Sequence, residues 1–326
     1  MRITVLLLLC GLLALSGCGT PSFLVTPVAN TNQLRQVTVR PPKGWTGDKI
    51  VIIPVDGMLM NARSGGFLQP TENPLSLFQQ QFDTISKDPS VKAVVLRVNT
   101  PGGTVSSADA MYEIVKRYRQ KTNKPVVASA QEVMASGGYY VACAATTIVA
   151  QPTSVVGSIG VIFETLEFAD GLAKLGIRSN AIKSGKFKDM GSPFKHLPEE
   201  ERAIMQGMVD EYFRRFQSVV KAARPQVANS PAMFETATDG RVFSGQRAME
   251  LGLVDSVGLL NDAVEEAKRL GGSPNAAVVM YSRPYAYGGS IYANAETPAP
   301  QANVTALQLP ESVQPLPAGF YYLWRP

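Results

Sequence analysis

The chain alternates between two hydrophobic periods. Residues 49–56 are a β-branched apolar run closed by Gly57, the pattern of a buried strand. Leu75, Leu77, Phe78, Phe82 and Ile85 then fall on one face of a helix that stops near Asp88 and Pro89. A second strand is predicted at 93–98 and a helix at about 107–121, with Met111, Ile114, Val115 and Tyr118 on one face. Residues 99–105, with Gly102 and Gly103, read as the turn between them. Strand-like runs recur at 124–129 and 147–150.

Further on, the pattern predicts an apolar-faced helix around 168–175 and a short strand at 179–182. The longest helix starts after Pro198, with Glu199, Glu200 and Glu201 in its first turn, where carboxylates suit the helix dipole. A short helix capped by Gly252, a return strand, a helix at 261–270 and one more strand from Val278 complete the pattern. Strands alternating with helices argue for an α/β domain with largely parallel pairing. No internal repeat is present, so one catalytic domain is expected over 48–272. A Thr-, Pro- and Asn-rich tether is expected at 19–47, and a strand followed by a Pro- and Ala-rich tail at 273–326. Residues 297–317 read as disordered, and the aromatic group at 320–324 either docks on the body or meets a membrane interface.

Composition adds boundaries to this picture. A hydrophobic share of 45% over 326 residues supports a large core. The net charge of +5 is scattered among both signs, so nucleic acid is not an expected partner. Residues 1–18 open with Arg2, carry an apolar run and end Leu-Ser-Gly-Cys, an export signal too short to span a membrane comfortably. That ending resembles a bacterial lipobox, so the expectation is cleavage before Cys18, a diacylglycerol on its sulfur and a lipid-anchored catalytic domain in the cell envelope, outside the cytoplasm. Cys143 is then the one cysteine of the mature chain besides Cys18, which excludes an intramolecular disulfide and suggests a buried thiol. With His196 as the single histidine and no cysteine pair at ligand spacing, no metal or other cofactor is expected.

Candidate chemistry centres on residues 132–143. Ser136 offers a hydroxyl, Gly137 and Gly138 let backbone amides approach a ligand, and a helix beginning there points its positive end at the serine. A small-residue helix start packed on a strand explains the same residues equally well. A nucleophilic serine needs a base. His196 stands in the lead-in to an acidic helix, an exposed kind of position. A lysine whose pKa is lowered by burial is the other option, and Lys188, beside Phe187 and Met190, is a candidate in the glycine-broken loop 183–193.

Five stretches recur in an ordered set that resembles the single-domain form of the bacterial signal peptide peptidase A family. They are Asn-Thr-Pro-Gly-Gly at 99–103, Ala-Ser-Gly-Gly-Tyr-Tyr at 135–140, Gly-Ser-Ile-Gly-Val at 157–161, Lys-Ser-Gly-Lys-Phe-Lys-Asp at 183–189 and Asp-Gly-Arg-Val-Phe-Ser-Gly-Gln at 239–246. The resemblance covers about 49–270. It implies a Ser-Lys dyad serine peptidase with Ser136 as nucleophile, Lys188 as general base, Ser158 orienting the base, and the amides of Gly103 and Gly137 as oxyanion hole. Lys183 and Lys186 stay as alternative bases, and Val156 stands where the family often has threonine. The resemblance also implies a Clp protease/crotonase-like β-β-α superhelix and a ring-shaped homo-oligomer with sites near subunit interfaces, where serine and lysine come either from one subunit or from two neighbours. The implied substrates are apolar peptides, chiefly signal peptide remnants. A same-family protease with another membrane target, a non-catalytic scaffold and a crotonase-type acyl-CoA enzyme are the alternatives.

Overall fold

The computed structural model describes residues 33–62, 72–282 and 319–324. In chain order its elements are β1 (Arg35–Arg40), β2 (Lys49–Leu59), α1 (Pro74–Ser86), β3 (Val91–Thr104), α2 (Val105–Thr122), β4 (Val126–Ala135), α3 (Gly137–Ala142), β5 (Thr147–Ala150), β6 (Val155–Gly157), β7 (Ile162–Glu164) and α4 (Ala169–Lys174). There follow α5 (Glu199–Ala223), α6 (Pro225–Ala228), α7 (Pro231–Ala237), β8 (Val242–Ser244), α8 (Gly245–Glu250), β9 (Ser256–Val257), α9 (Leu260–Leu270), β10 (Ala277–Ser282) and β11 (Gly319–Leu323).

One mixed sheet runs β1-β10-β2-β3-β4-β5-β9, parallel from β10 onwards, with β1 antiparallel at one edge. Both faces of its centre are dry. Val51, Ile53, Val94 and Leu96 face α1, α2 and α3, with Phe82, Met111 and Val115 in the same cluster. Ile50, Ile52, Val95 and Val127 face α9 through Leu260, Val264 and Ala267. Burial on both faces is why β2 and β3 read as unbroken apolar runs rather than alternating ones. The α/β expectation is met by this layered arrangement.

Local chemistry sets the helix ends. Asn73 caps α1 by accepting from the Ser76 amide, with Pro74 at the first helical position. Asn123 closes α2 in a left-handed conformation (φ 55°).

Four expectations change. Residues 35–40, assigned to the tether, form edge strand β1 on β10. The turn expected at 99–105 is a continuation of β3 to Thr104, because Gly102 and Gly103 pair with Met58 and Leu59 of β2 on one side and with β11 on the other. The strand expected at 179–182 does not form; these residues are exposed and Ile182 has no apolar cover. The helix near 168–175 forms as α4, but none of its residues is buried, so its apolar side has no core to join. The signal and lipobox at 1–18 and the stretch 297–317 lie outside the described residues. No described helix is long and apolar enough to cross a membrane.

Candidate active site

The second half of the sheet makes the site. Past Ala130, β4 leaves β5 and pairs with β6, Ala135 opposite Gly157. At the ends of these parallel strands stand Ser136 and Ser158, both with positive φ (51° and 50°). A non-glycine residue in this region costs on the order of 1–3 kcal/mol and persists only where its surroundings hold it. For Ser136 the restraint is visible: its amide donates to the Gly157 carbonyl (2.7 Å) and its carbonyl accepts from the Tyr140 amide in the first turn of α3 (2.9 Å). Ser158 is held by its amide, which donates to the Arg241 carbonyl at 2.8 Å.

The Ser136 side chain is buried and its Oγ has no hydrogen-bond partner. A buried hydroxyl without a partner costs about 1–3 kcal/mol, so a structural serine would be expected to satisfy it. The strained backbone and the orphan hydroxyl favour a reactive serine over a packed helix start.

Gly103 and Gly137 surround it. A Cβ on Gly103 would stand 2.0 Å from the Leu59 carbonyl oxygen, and one on neighbouring Gly102 would stand 2.0 Å from the Tyr322 carbonyl oxygen and 2.8 Å from the Gly137 amide nitrogen. Backbones meet here at distances that exclude any side chain. Asn99 bridges the irregularity between β3 and β4 by accepting from the Val133 amide at 3.1 Å, and Thr100 Oγ1 accepts from the Gly102 amide at 3.0 Å. The stretch 99–103 thus shapes a backbone corner beside the serine. The stretch 239–246 joins through β8, antiparallel to β6, with Val242 opposite Gly157.

Four of the five ordered stretches therefore converge. The fifth does not. Residues 183–189 lie on an exposed arm after β7, and Lys188 is exposed. Since the Ser136 Oγ is unpartnered, no lysine or histidine among the described residues reaches it. Lys183 pairs with Asp189 (2.6 Å) and Lys186 with Glu200, whereas Lys188 makes no ion pair among the described residues. Asp189 is tied down twice: hydrogen bonds from Lys183 and Lys195 hold its carboxyl down to about 2. Lys195 in turn bonds Glu201 in the first turn of α5 at 2.5 Å, and the bonds to Glu201 and Asp189 raise its pKa. His196 is exposed on the same arm, its Nδ1 2.5 Å from Glu167 Oε1, and the bond to Glu167 raises its pKa. It is a surface ion pair.

Cys143 is buried about two helical turns along from Ser136, its thiol pushed up to about 12 by burial, a structural thiol as its apolar run suggested. The described residues contain no group of three or more His, Cys, Asp or Glu that could hold a metal ion.

Sequence reasoning left the aromatic terminus either docked on the body or at a membrane interface. The structure inserts β11 antiparallel between β3 and β7, with Tyr322 opposite Gly103 and Phe320 opposite Phe163. The alternating Phe320 and Tyr322 were the available signal, since residues two apart share a face of a strand.

Comparison with known proteins gives a consistent result. The profile of peptidase family S49 matches residues 118–272. A protein of Methanocaldococcus jannaschii named as a protease is 38% identical over 61% of this chain and 62% of its own length. A protein of Enterococcus faecium named as signal peptide peptidase SppA is 34% identical over 77% of this chain and 71% of its own. A solved structure, a membrane-bound stomatin-specific protease mutant in complex with a substrate peptide, aligns with a TM-score of 0.44 at 18% identity over 73% of this chain and 94% of that one.

Proposed function

The chain belongs to peptidase family S49, and we propose that it is a membrane-associated serine endopeptidase in which Ser136 is the nucleophile and Lys188 the general base. One observation carries the proposal: the Ser136 hydroxyl is buried, unpartnered and set on strained backbone beside the close-packed glycines 102, 103 and 137. In the proposed reaction Lys188, as a neutral amine, takes the proton of Oγ as the oxygen attacks a peptide carbonyl. The amides of Gly103 and Gly137 stabilise the oxyanion. Collapse, with the lysine passing that proton to the leaving nitrogen, gives an acyl ester on Ser136 and a free amine; the neutral lysine then takes a proton from water as the water attacks the ester, and returns it to Oγ as the acid leaves. Ser158, level with Ser136 on the neighbouring strand, orients the lysine.

Lys188 comes from a second copy in this proposal. Two features support that arrangement. The Ser136 hydroxyl finds no base among the described residues of its own chain. Among the described residues, eight of the twelve exposed large apolar side chains lie between Ile162 and Phe194, on the arm that carries Lys188, and an apolar surface of that extent is covered by a partner in most soluble proteins. A heterologous contact of this kind generates a ring when its rotation closes. Substrates are apolar peptides such as cleaved signal peptides, met at a membrane to which Cys18 is anchored by lipid. The test is labelling of the purified protein with a fluorophosphonate and peptide mapping. Modification at Ser136, lost in Ser136→Ala and in Lys188→Ala, is expected. Peptide hydrolysis retained in either variant would remove the dyad.

A further inference from the structure

We infer that the cavity where the end of α2 meets the start of β4 is a phosphate-binding site, held by Arg119 and Lys124 with Lys116 at its side, and separate from the proposed active site at the other end of the sheet.

Charges without a counter-charge are the first observation. A cation withdrawn from water is normally set beside a carboxylate. The three buried cations among the described residues follow that rule: Arg97 pairs with Asp56, Arg224 with Asp255 and Lys268 with Glu265. The half-buried Arg119 and Lys124 do not. Arg119 donates from one terminal nitrogen to the carbonyls of Ala144 (2.7 Å) and Ala145 (3.0 Å), and Lys124 Nζ donates to the Asp88 carbonyl at 2.9 Å. Neither makes an ion pair among the described residues. The Asp88 carboxylate itself is taken by Lys49 and Ser90. Burial lowers the pKa of both cations; at Lys124 the charge of Asp88 offsets this in part, and Lys92 adds a like charge. Main-chain carbonyls thus fix two cations in place and leave their charge uncompensated.

Both cations line one cavity, which is the second observation. It has a volume of about 530 Å³ and is completed by Lys116, Asn123, Thr146 and Leu270, and none of its described lining residues is acidic. Lys116 and Arg119 stand three residues apart on one face of α2, and the left-handed turn at Asn123 (φ 55°) returns the chain so that Lys124 joins them. Lys116 has only a long contact to Glu113, at 3.5 Å. With one nitrogen engaged, Arg119 keeps donors on its other two for the forked contact that phosphate oxygens accept, and Lys124 supplies a point charge. Thr146 Oγ1 accepts from the Val126 amide at 3.1 Å, which leaves its own proton to donate. Several donors and three positive charges around one cavity suit a phosphate group better than a singly charged carboxylate.

Place separates this site from the peptide chemistry. β4 starts at the cavity with Val126 and ends at Ala135, so its ten residues set Ser136 on the order of 30 Å away. A phosphate held here does not touch a peptide at Ser136. Its source is either a free phosphate in solution or the headgroup of a phospholipid.

Calorimetric titration of the full chain with inorganic phosphate, at ionic strength held constant with chloride, tests the site. Saturable binding of one phosphate per chain is expected, about tenfold weaker in Lys124→Gln and in Arg119→Lys. Lys124→Gln keeps a donor for the Asp88 carbonyl, and a parent-like melt without phosphate checks that it is folded. Sedimentation with vesicles separates the sources. Binding to phosphatidylglycerol beyond the level on phosphatidylcholine, lost in Lys124→Gln and displaced by phosphate, assigns a lipid headgroup; phosphate binding without that excess assigns a free phosphate. No saturable binding, or equal affinity in parent and both variants, would overturn the proposal. So would phosphate slowing fluorophosphonate labelling of Ser136 while both variants bind it as the parent does, since the anion would then sit at the serine.

Discussion

Ser136 and Ser158 leave the ends of two parallel strands in the same register, Ala135 opposite Gly157, and both do so with left-handed φ. Neighbouring strands run about 4.8 Å apart, so the two hydroxyl-bearing residues are set side by side by sheet geometry alone. Both conformations cost energy, and the cost is tied to the position of the hydroxyls.

Replacing Ser136 by glycine should therefore abolish activity and raise stability together. Glycine adopts positive φ without strain and leaves no buried hydroxyl unpaired. Ser136→Gly is expected to unfold at least about 1 kcal/mol harder than the parent, a few degrees in Tm, while Ser136→Ala keeps the strain and gains less. Thermal melts of the two inactive variants decide; a Gly variant less stable than the Ala variant would contradict the strain argument.

Ser158→Ala should fold normally and lose about ten- to a hundredfold in kcat with little change in KM, because the role proposed for the residue is towards the base and not the peptide. The pH–rate profile should shift as well. An unchanged profile would deny it a role towards the lysine.

At Gly103 the effect should be structural as well as catalytic. A Cβ there meets the Leu59 carbonyl at 2.0 Å, backbone against backbone, so Gly103→Ala must part the ends of β2 and β3. A loss of at least about 2 kcal/mol in denaturant unfolding, together with loss of hydrolysis, is expected.

If serine and lysine come from different copies, inactive Ser136→Ala and Lys188→Ala chains should complement. Random co-assembly in equal amounts leaves about a quarter of the sites with an intact serine next to an intact lysine. Recovery of roughly that share of parent activity after mixing under dissociating conditions is predicted. No recovery would place both groups in one chain.

Acid stability should depend on Asp88. Burial raises its pKa, but hydrogen bonds from Ser90 and Lys49 outweigh that and hold it down to about 2, against an ordinary value of 3.8. A depressed carboxyl stabilises the fold above its unfolded pKa and loses that contribution as pH falls through the folded one. Asp88→Asn should thus be about 1–2 kcal/mol less stable than the parent at pH 7, with the gap closing between about pH 4 and pH 2. A gap independent of pH would mean that the side chain acts only through its shape.

Much of the fold was legible because its physics is local. The apolar runs of β2 and β3, the faces of α1 and α2 and the acidic first turn of α5 are written in periods of two and 3.6 residues, and burial in the structure follows them. Where local patterning and tertiary pairing disagreed, pairing prevailed. Gly102 and Gly103 look like a turn, yet they extend β3 because two neighbouring backbones need strands without side chains there. Residues 35–40 look like tether until β10 supplies their partner.

The site divides in the same way. By itself the chain determined which groups are reactive or small: the serine, the glycines, the single histidine and the lysine-rich loop. Only the tertiary structure decided that Ser136 is strained and unpartnered, that His196 is a surface ion pair, that the arm with Lys188 stands away from the serine, and that Tyr322 lies across the glycine corner. The reason is distance along the chain. Pairings between 103 and 322, or 157 and 242, are set by which backbones are left with open hydrogen bonds once the core has closed, and no local period encodes that.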